Sequence, residues 1–392
     1  MEFKINFSGT GHRYTNEEIN VVVEAMQNAD PLTQGKHRDN FEKKFCEYNG
    51  NEYAFSLCNA TAALELAAQM CIFKDGDEIV APSHTFTSSV YPFIKKGAKV
   101  AWADIDLDTR VVTLESIKKC VTSKTKAIVV VHLYGFIIPD IQKIADFAKE
   151  NNILLVEDVA QAMGTSINGK KAGTFGDFGI FSFHSHKNIT TLGEGGMLTV
   201  KEKKYADIIP MLRHNGHCGF DYEREHYWQP AMGNLDLPNL DGENLLPNNY
   251  CLGEVECALG AKLLDRIDEM NAQKRERAVK FMDALKEFED LVFHKVEDNR
   301  HNYHLLVAYV KNGKRDEIMK KLVYEKKIKC VVQYYPLNRY PLYEKLGFGE
   351  ANCPNADEFF DNMISFPFQH WMSDEDFEYM LEVTKEVMKE LN

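Results

Sequence analysis

"TKAIVVVHLYG" (residues 125–135), "DIQKIADFAKENN" (140–152) and "ILLVEDV" (153–159) follow one another along the chain. The first is a β-branched apolar run that ends on His132, Leu133, Tyr134 and Gly135. The second spaces its apolar residues as a helix does, and the third is again apolar until Glu157 and Asp158. A strand that is apolar at consecutive positions is covered on both faces. Such strands alternating with helices build a parallel sheet with helices on either side.

The alternation extends outward in both directions. Before it come "EYAFSLCN" (52–59) as a strand and "ATAALELAAQMCI" (60–72) as a helix of strong formers. "DEIVAPS" (77–83) and "KVAWADID" (99–106) are strands, each followed by a short helix, "TSSVYPFIKKG" (87–97) and "LESIKKCV" (114–121). Residues 1–50 read as an entry arm and helices. Thr15 or Asn16 caps a helix running to Met26, and "LTQGKHRDNFEKKF" (32–45) makes a glycine turn and a charged helix. Residues 205–250 read as irregular and aromatic-rich. "LGEVECALGAKLLDRIDEMNAQKRERAVKFMDALKEF" (252–288) reads as one long helix or two joined ones, leading to a small α+β region. The expected division is 1–250, an arm and a large domain, and 251–392, a linking helix and a small C-terminal domain.

Bulk properties narrow the function. The chain has 392 residues and a net charge of -13, so it lacks the basic surface that nonspecific nucleic-acid binding needs. An anionic small ligand is still possible at a locally positive site. No apolar run approaches the roughly 18 residues of a membrane helix. "MEFKINFSGTGHRYTNEE" has no basic segment followed by an apolar one, so no signal peptide is expected. Nine scattered cysteines without a C-x-x-C point to reduced thiols in a cytoplasmic protein, with neither a disulfide frame nor a zinc site. Asn59-Ala60-Thr61 matches a glycosylation sequon that has no secretory context to act in.

Ligands of open parallel sheets bind beyond the carboxyl ends of the strands. Here those ends are Asn59-Ala60-Thr61, Pro82 to Phe86, His132 to Gly135, Glu157-Asp158 followed by Gln161, and Ser182 to Lys187. Ala60 and Thr61 open a helix whose free N–H groups and dipole suit a phosphate, although many helices begin this way. Asp158 could hold a cationic ring nitrogen, a metal or a ribose, or simply cap the next turn. Phe86 could stack on a flat ring or pack in the core. Lys187 lies in "GIFSFHSHKNITTLGEGGMLTV" (179–200), after a strand end and before Gly193, Gly195 and Gly196. A lysine held in a partly desolvated place has a lowered pKa and forms Schiff bases, whereas most lysines are solvated surface charges. His184 and His186 have no Cys, Asp or Glu at ligand spacing beside them, so no metal is expected. Taken together, a phosphate seat, an acid, an aromatic and a lysine fit pyridoxal phosphate.

With these motifs in hand the chain resembles the DegT/DnrJ/StrS family of pyridoxal-phosphate sugar aminotransferases, from about residue 28 to the C-terminus. The likeness rests on "LTQGKHRDNFEKKF", "NATAALELA", "DEIVAPSHTFTSS", "VVHLYG", "VEDVAQAMG", "GTFGDFGIFSFHSHKN", "GEGGMLT", "NNYCLGEVECALG" and "QYYPL". It implies an aspartate aminotransferase-like (fold type I) α/β architecture: a large three-layer domain with a mostly parallel sheet and a small C-terminal α+β domain. It implies that Lys187 forms the Schiff base and Asp158 partners the ring nitrogen. Gln161 then contacts the ring oxygen, Phe86 stacks on the ring, and Ala60, Thr61 and Ser182 hold the phosphate. Asn249 would reach the phosphate of a neighbouring subunit in a homodimer with shared active sites. Glutamate is the implied amino donor and a nucleotide-linked keto-deoxysugar the implied acceptor, in the making of a surface polysaccharide or glycan. Some members carry His at the lysine position and act as dehydratases; Lys187 here favours transamination.

Departures from the family pattern concern the acceptor. Cys251 stands where an arginine is usual, His214-Asn215-Gly216 replaces a common His-Gly, Phe220 to Pro247 matches poorly, and Asn338 replaces a frequent histidine. Two other readings therefore stay open: an aminotransferase for a small phosphorylated ketone, and a non-catalytic regulator on the same fold.

Overall fold

The computed structural model describes residues 2–220, 227–228 and 230–391. Two helices open the fold, α1 (Asn16–Asn28) and α2 (Lys36–Asn49). Thr15 caps α1 through a reciprocal capping box with Glu18, and Gly35 precedes α2.

The alternating region then runs β1 (Tyr53–Leu57), α3 (Ala60–Met70), β2 (Glu78–Pro82), α4 (Tyr91–Lys95), β3 (Lys99–Ala103), α5 (Leu114–Lys118), β4 (Thr125–Val131), α6 (Ile141–Glu150) and β5 (Leu154–Asp158). A small hairpin, β6 (Ser166–Ile167) and β7 (Lys170–Lys171), leads to β8 (Phe178–Ser182) and β9 (Gly196–Val200). Seven strands form one sheet in the order β1-β9-β8-β5-β4-β2-β3. Consecutive residues of β8 and β9 are all buried, so both faces of the sheet are covered.

One strand runs against the others. β9 is antiparallel to both β1 and β8, pairing Leu57 and Ser182 with Gly196. Because it lies between them, β1 and β8 still point the same way as the parallel strands β5, β4, β2 and β3. The carboxyl ends expected to converge therefore share one rim.

Beyond the sheet come α7 (Lys203–Leu212) and a two-residue pairing of β10 (His217–Cys218) with β11 (Asn234–Leu235). The irregular segment expected from residue 205 thus begins with a helix, whose buried Tyr205, Ile208, Ile209 and Leu212 make one apolar face. Part of that segment lies outside the described residues. The long helical stretch is two helices, α8 (Glu254–Leu263) and α9 (Ile267–Ala284).

The remaining chain contains β12 (Leu291–Phe293), β13 (Leu306–Val310), α10 (Arg315–Lys320), α11 (Pro341–Lys345), α12 (Pro354–Asn362), β14 (Met363–Phe366) and α13 (Asp374–Leu391). β12, β13 and β14 form an antiparallel sheet backed by a second core that includes Phe281, Leu306, Ile364, Phe377 and Val387. The main core gathers around the seven-stranded sheet and also takes in Leu337, Tyr343 and Phe359.

Candidate active site

A cavity of about 400 Å³ opens on the common rim. Ala60, Thr61, Phe86, Asp158, Ser182 and Lys187 all line it.

The α3 end of the cavity is set by packing. Asn59 caps α3 by accepting the Ala62 N–H at 2.8 Å, so the Ala60 and Thr61 amides stand at the open end of the helix. Gly196 makes room for this end: a Cβ there would lie 2.5 Å from the Asn59 carbonyl carbon and 2.6 Å from the Ala60 nitrogen. The Thr61 hydroxyl donates to Ser88 Oγ at 3.1 Å, and the Ser182 hydroxyl accepts the His184 N–H at 3.3 Å.

Asp158 ends β5, buried to 5% exposure. Its Oδ2 accepts the Ser89 hydroxyl at 2.7 Å and its Oδ1 the Ala160 N–H at 3.0 Å. These bonds use only part of the carboxylate's accepting capacity and aim the rest into the cavity. Neighbouring Glu157 points the other way, fully buried. It accepts His132 Nε2 at 3.0 Å and the N–H groups of Gly173, Phe175 and Gly176 at 2.9, 2.7 and 2.6 Å.

Lys187 sits on the loop joining β8 to β9. Burial pushes its amine down to about 8, against the pull of Asp158. An amine depressed this far is a nucleophile near neutral pH. The loop folds back through Gly193, which has φ +116°. The N-terminal arm braces it from outside: the Gly11 N–H donates to the Ser185 carbonyl at 2.7 Å.

Phe86 is half exposed within the cavity and meets Tyr334 edge-on, with ring centroids 6.0 Å apart. Gln161 stands one layer behind the wall. Its Oε1 accepts the Tyr134 N–H at 2.7 Å and its Nε2 donates to the Tyr334 hydroxyl at 3.0 Å. Asn249 does not join this cavity. It is exposed and makes a bridge with His214. Cys251, also apart, donates to the Arg213 carbonyl at 3.4 Å.

Several lining residues were not singled out from sequence. Tyr334, Ser88, His304 and Gln369 belong to them. Ser88 and Tyr334 lie inside the quoted motifs "DEIVAPSHTFTSS" and "QYYPL", so position within a motif was the available signal. His304 and Gln369 carry no local signal, because only the second sheet's docking brings them here. His184 and His186 both face the cavity; burial, His184 and Lys187 together lower the His186 pKa. Among the described residues no group of three or more His, Cys, Asp or Glu side chains could hold a metal ion.

The donor set fits pyridoxal phosphate. A helix N-terminus for the phosphate, a buried carboxylate with spare accepting capacity, a ring face and a depressed lysine amine open on one cavity of suitable size.

Comparison with known proteins points the same way. The model of the DegT/DnrJ/EryC1/StrS aminotransferase family matches residues 13–385. The chain is 31% identical to the spore coat polysaccharide biosynthesis protein SpsC of Bacillus subtilis over 379 residues, 95% of each chain. It is 30% identical to the GDP-perosamine synthase of Escherichia coli O157:H7, over 87% of this chain and 91% of that one. Among solved structures it is similar to Spr1654 of Streptococcus pneumoniae in its PMP-form, with a TM-score of 0.85, 26% identity, and 99% and 100% of the two chains covered.

Proposed function

Because the chain belongs to the DegT/DnrJ/EryC1/StrS aminotransferase family and is a pyridoxal-phosphate-dependent aminotransferase of fold type I, we propose that it moves an amino group from glutamate to a nucleotide-linked keto sugar. The reaction would serve the making of a surface polysaccharide or glycan, in the cytoplasm. The observation that carries the chemistry is the shared cavity of Lys187 and Asp158. The sugar assignment is supported by the GDP-perosamine synthase and spore coat polysaccharide relatives.

When bound, the cofactor supplies a cationic ring that accepts the electron pair left as the substrate carbon loses its proton. In our reading Asp158 holds the ring nitrogen protonated, and Ser89 holds Asp158. Lys187 anchors the cofactor and, once released by the incoming amine, carries the proton at its Nζ. Ala60, Thr61 and Ser182 bind the phosphate, Phe86 covers the ring and Gln161 contacts its oxygen. Asn249, outside this cavity, reaches the phosphate of the neighbouring subunit in a homodimer. Residues 1–250 then make up the arm and cofactor-binding domain, and 251–392 the linking helix and small domain.

The deciding experiment offers purified holoenzyme glutamate and a panel of nucleotide-linked keto sugars beside small keto phosphates. Amination of a nucleotide-linked sugar is expected. Activity confined to the small ketones, or no transfer from glutamate or any other amine, would overturn the reading.

A further inference from the structure

Lys274 on α9 is 1% exposed, behind the cavity wall. Its ammonium has no carboxylate partner among the described residues. It donates instead to three neutral oxygens: the His304 carbonyl at 2.9 Å, Asn188 Oδ1 at 3.3 Å and Gln369 Oε1 at 3.4 Å. Burial pushes it down to about 7. A buried cation without a counter-ion is costly, and an apolar side chain of similar length would serve packing better. What distinguishes this lysine is the identity of its acceptors.

His304 and Gln369 both line the cavity, and Asn188 is the next residue after Lys187. Asn188 is held at both ends of its amide. Lys274 takes its oxygen, and its nitrogen donates at 2.7 Å to Asn271 Oδ1, one turn earlier on the same helix. Asn271 in turn donates at 3.0 Å to the Met163 carbonyl, in the turn that follows Asp158. One face of α9 therefore grips the Lys187 loop, the turn after β5 and two segments from beyond α9.

We infer that Lys274 is a positioning residue for transamination: by fixing Asn188 against the His304 carbonyl and Gln369, it sets where the Lys187 amine stands in the cavity. This rests on Lys187 being the residue that carries the cofactor.

The test uses full-length protein and the variants Lys274→Met, Lys274→Arg, Asn188→Ala and Lys274→Met/Asn188→Ala. The lysine–cofactor bond (amine plus aldehyde, less one water) is followed by absorbance after pyridoxal phosphate is added to each apoprotein. Borohydride trapping and peptide mass mapping then locate it. In Lys274→Met the bond should form at least about tenfold more slowly. Its kcat should fall in step, while KM for glutamate moves less than about threefold. Asn188→Ala should behave likewise, and the double variant should be no worse than the poorer single one, because both act through one link. Lys274→Arg, which keeps the charge and donors, should recover most of the rate. Bond formation at the wild-type rate in Lys274→Met, or losses that multiply in the double variant, would overturn the inference. Should Lys274→Met not fold, Lys274→Gln, uncharged and one atom shorter, takes its place. Slowed bond formation at an unchanged unfolding temperature supports the inference, and a wild-type rate overturns it. Trapping of a lysine other than Lys187 in the wild-type protein would remove the underlying assignment before any variant is read.

Discussion

The Ser89 hydroxyl donates a 2.7 Å hydrogen bond to Asp158 Oδ2, so the acid at the end of β5 is oriented by a residue from the segment after β2. Hydrogen bonds to charged groups are worth about 1.5–3 kcal/mol. Ser89→Ala is expected to lower kcat about tenfold with little change in fold, and Asp158→Asn by about a hundredfold or more. Steady-state kinetics on the two variants checks the order. Equal effects, or none in Ser89→Ala, would count against the orienting role.

Lys187 should stand out chemically in the apoprotein. Its amine falls from 10.5 to about 8 through burial, so the neutral, nucleophilic form grows as pH rises and is half populated near that value. Reductive labelling with an aldehyde should speed up with pH and level off above about 8 at this site. Solvated lysines should go on rising towards 10.5. Peptide mapping across a pH series distinguishes the two profiles. A Lys187 rate that climbs with the surface lysines would contradict the burial argument.

Gly11 is a point where a methyl group cannot fit. A Cβ there would overlap the Lys187 carbonyl oxygen, which is main chain and cannot swing aside. Gly11→Ala should therefore push the N-terminal arm off the lysine loop and break the bond to the Ser185 carbonyl. We expect a loss of about 1–3 kcal/mol, as for overpacking, with faster cofactor release. Thermal unfolding and absorbance after dialysis measure both.

Glu157 gives an acid-side prediction. Burial by itself would raise its pKa. The His132 hydrogen bond and charge and the Gly176 and Gly173 amides outweigh burial and hold it below the usual range. A carboxylate depressed in the folded state contributes stability that is full above about 4.5 and lost as pH falls through its folded value. Glu157→Gln should cost about 3 kcal/mol at neutral pH. It should also flatten the fall in stability below about pH 4.5, since the variant has no proton to take up there. Urea unfolding at neutral and acid pH tests the cost and the slope separately.

Much of this was legible in local pattern. Strands such as β4 and β5 are apolar at consecutive positions, and α3 opens with a cap and strong formers, so their ends and the rim could be placed by periodicity alone. The direction of β9 could not. "GMLTV" is equally apolar read either way, and its partner β1 lies far back in the chain. α7 is hidden from the sequence pattern because Pro210 interrupts its run, yet its apolar face packs against β1 and β9. Lys274 looked like any lysine in the charged stretch "QKRERAVK"; only the docking of His304 and Gln369 buries it. For Gln161 the sequence points towards the ligand and gives no sign that the side chain is held behind the wall, because Tyr134 and Tyr334 reach it from other segments.

The antiparallel strand has a mechanical consequence. The loop that carries Lys187 leaves the sheet at Ser182 and re-enters at Gly196, and these two residues are paired across adjacent strands. Its two feet therefore stand side by side on a rigid base. The second foot, Gly196, also abuts the start of α3. The amine and the start of α3 are thus surveyed from one benchmark, the first residue of β9. The loop between the feet can change length or composition during evolution without altering that reference, while any slip of β9 would shift the lysine loop and the start of α3 at once.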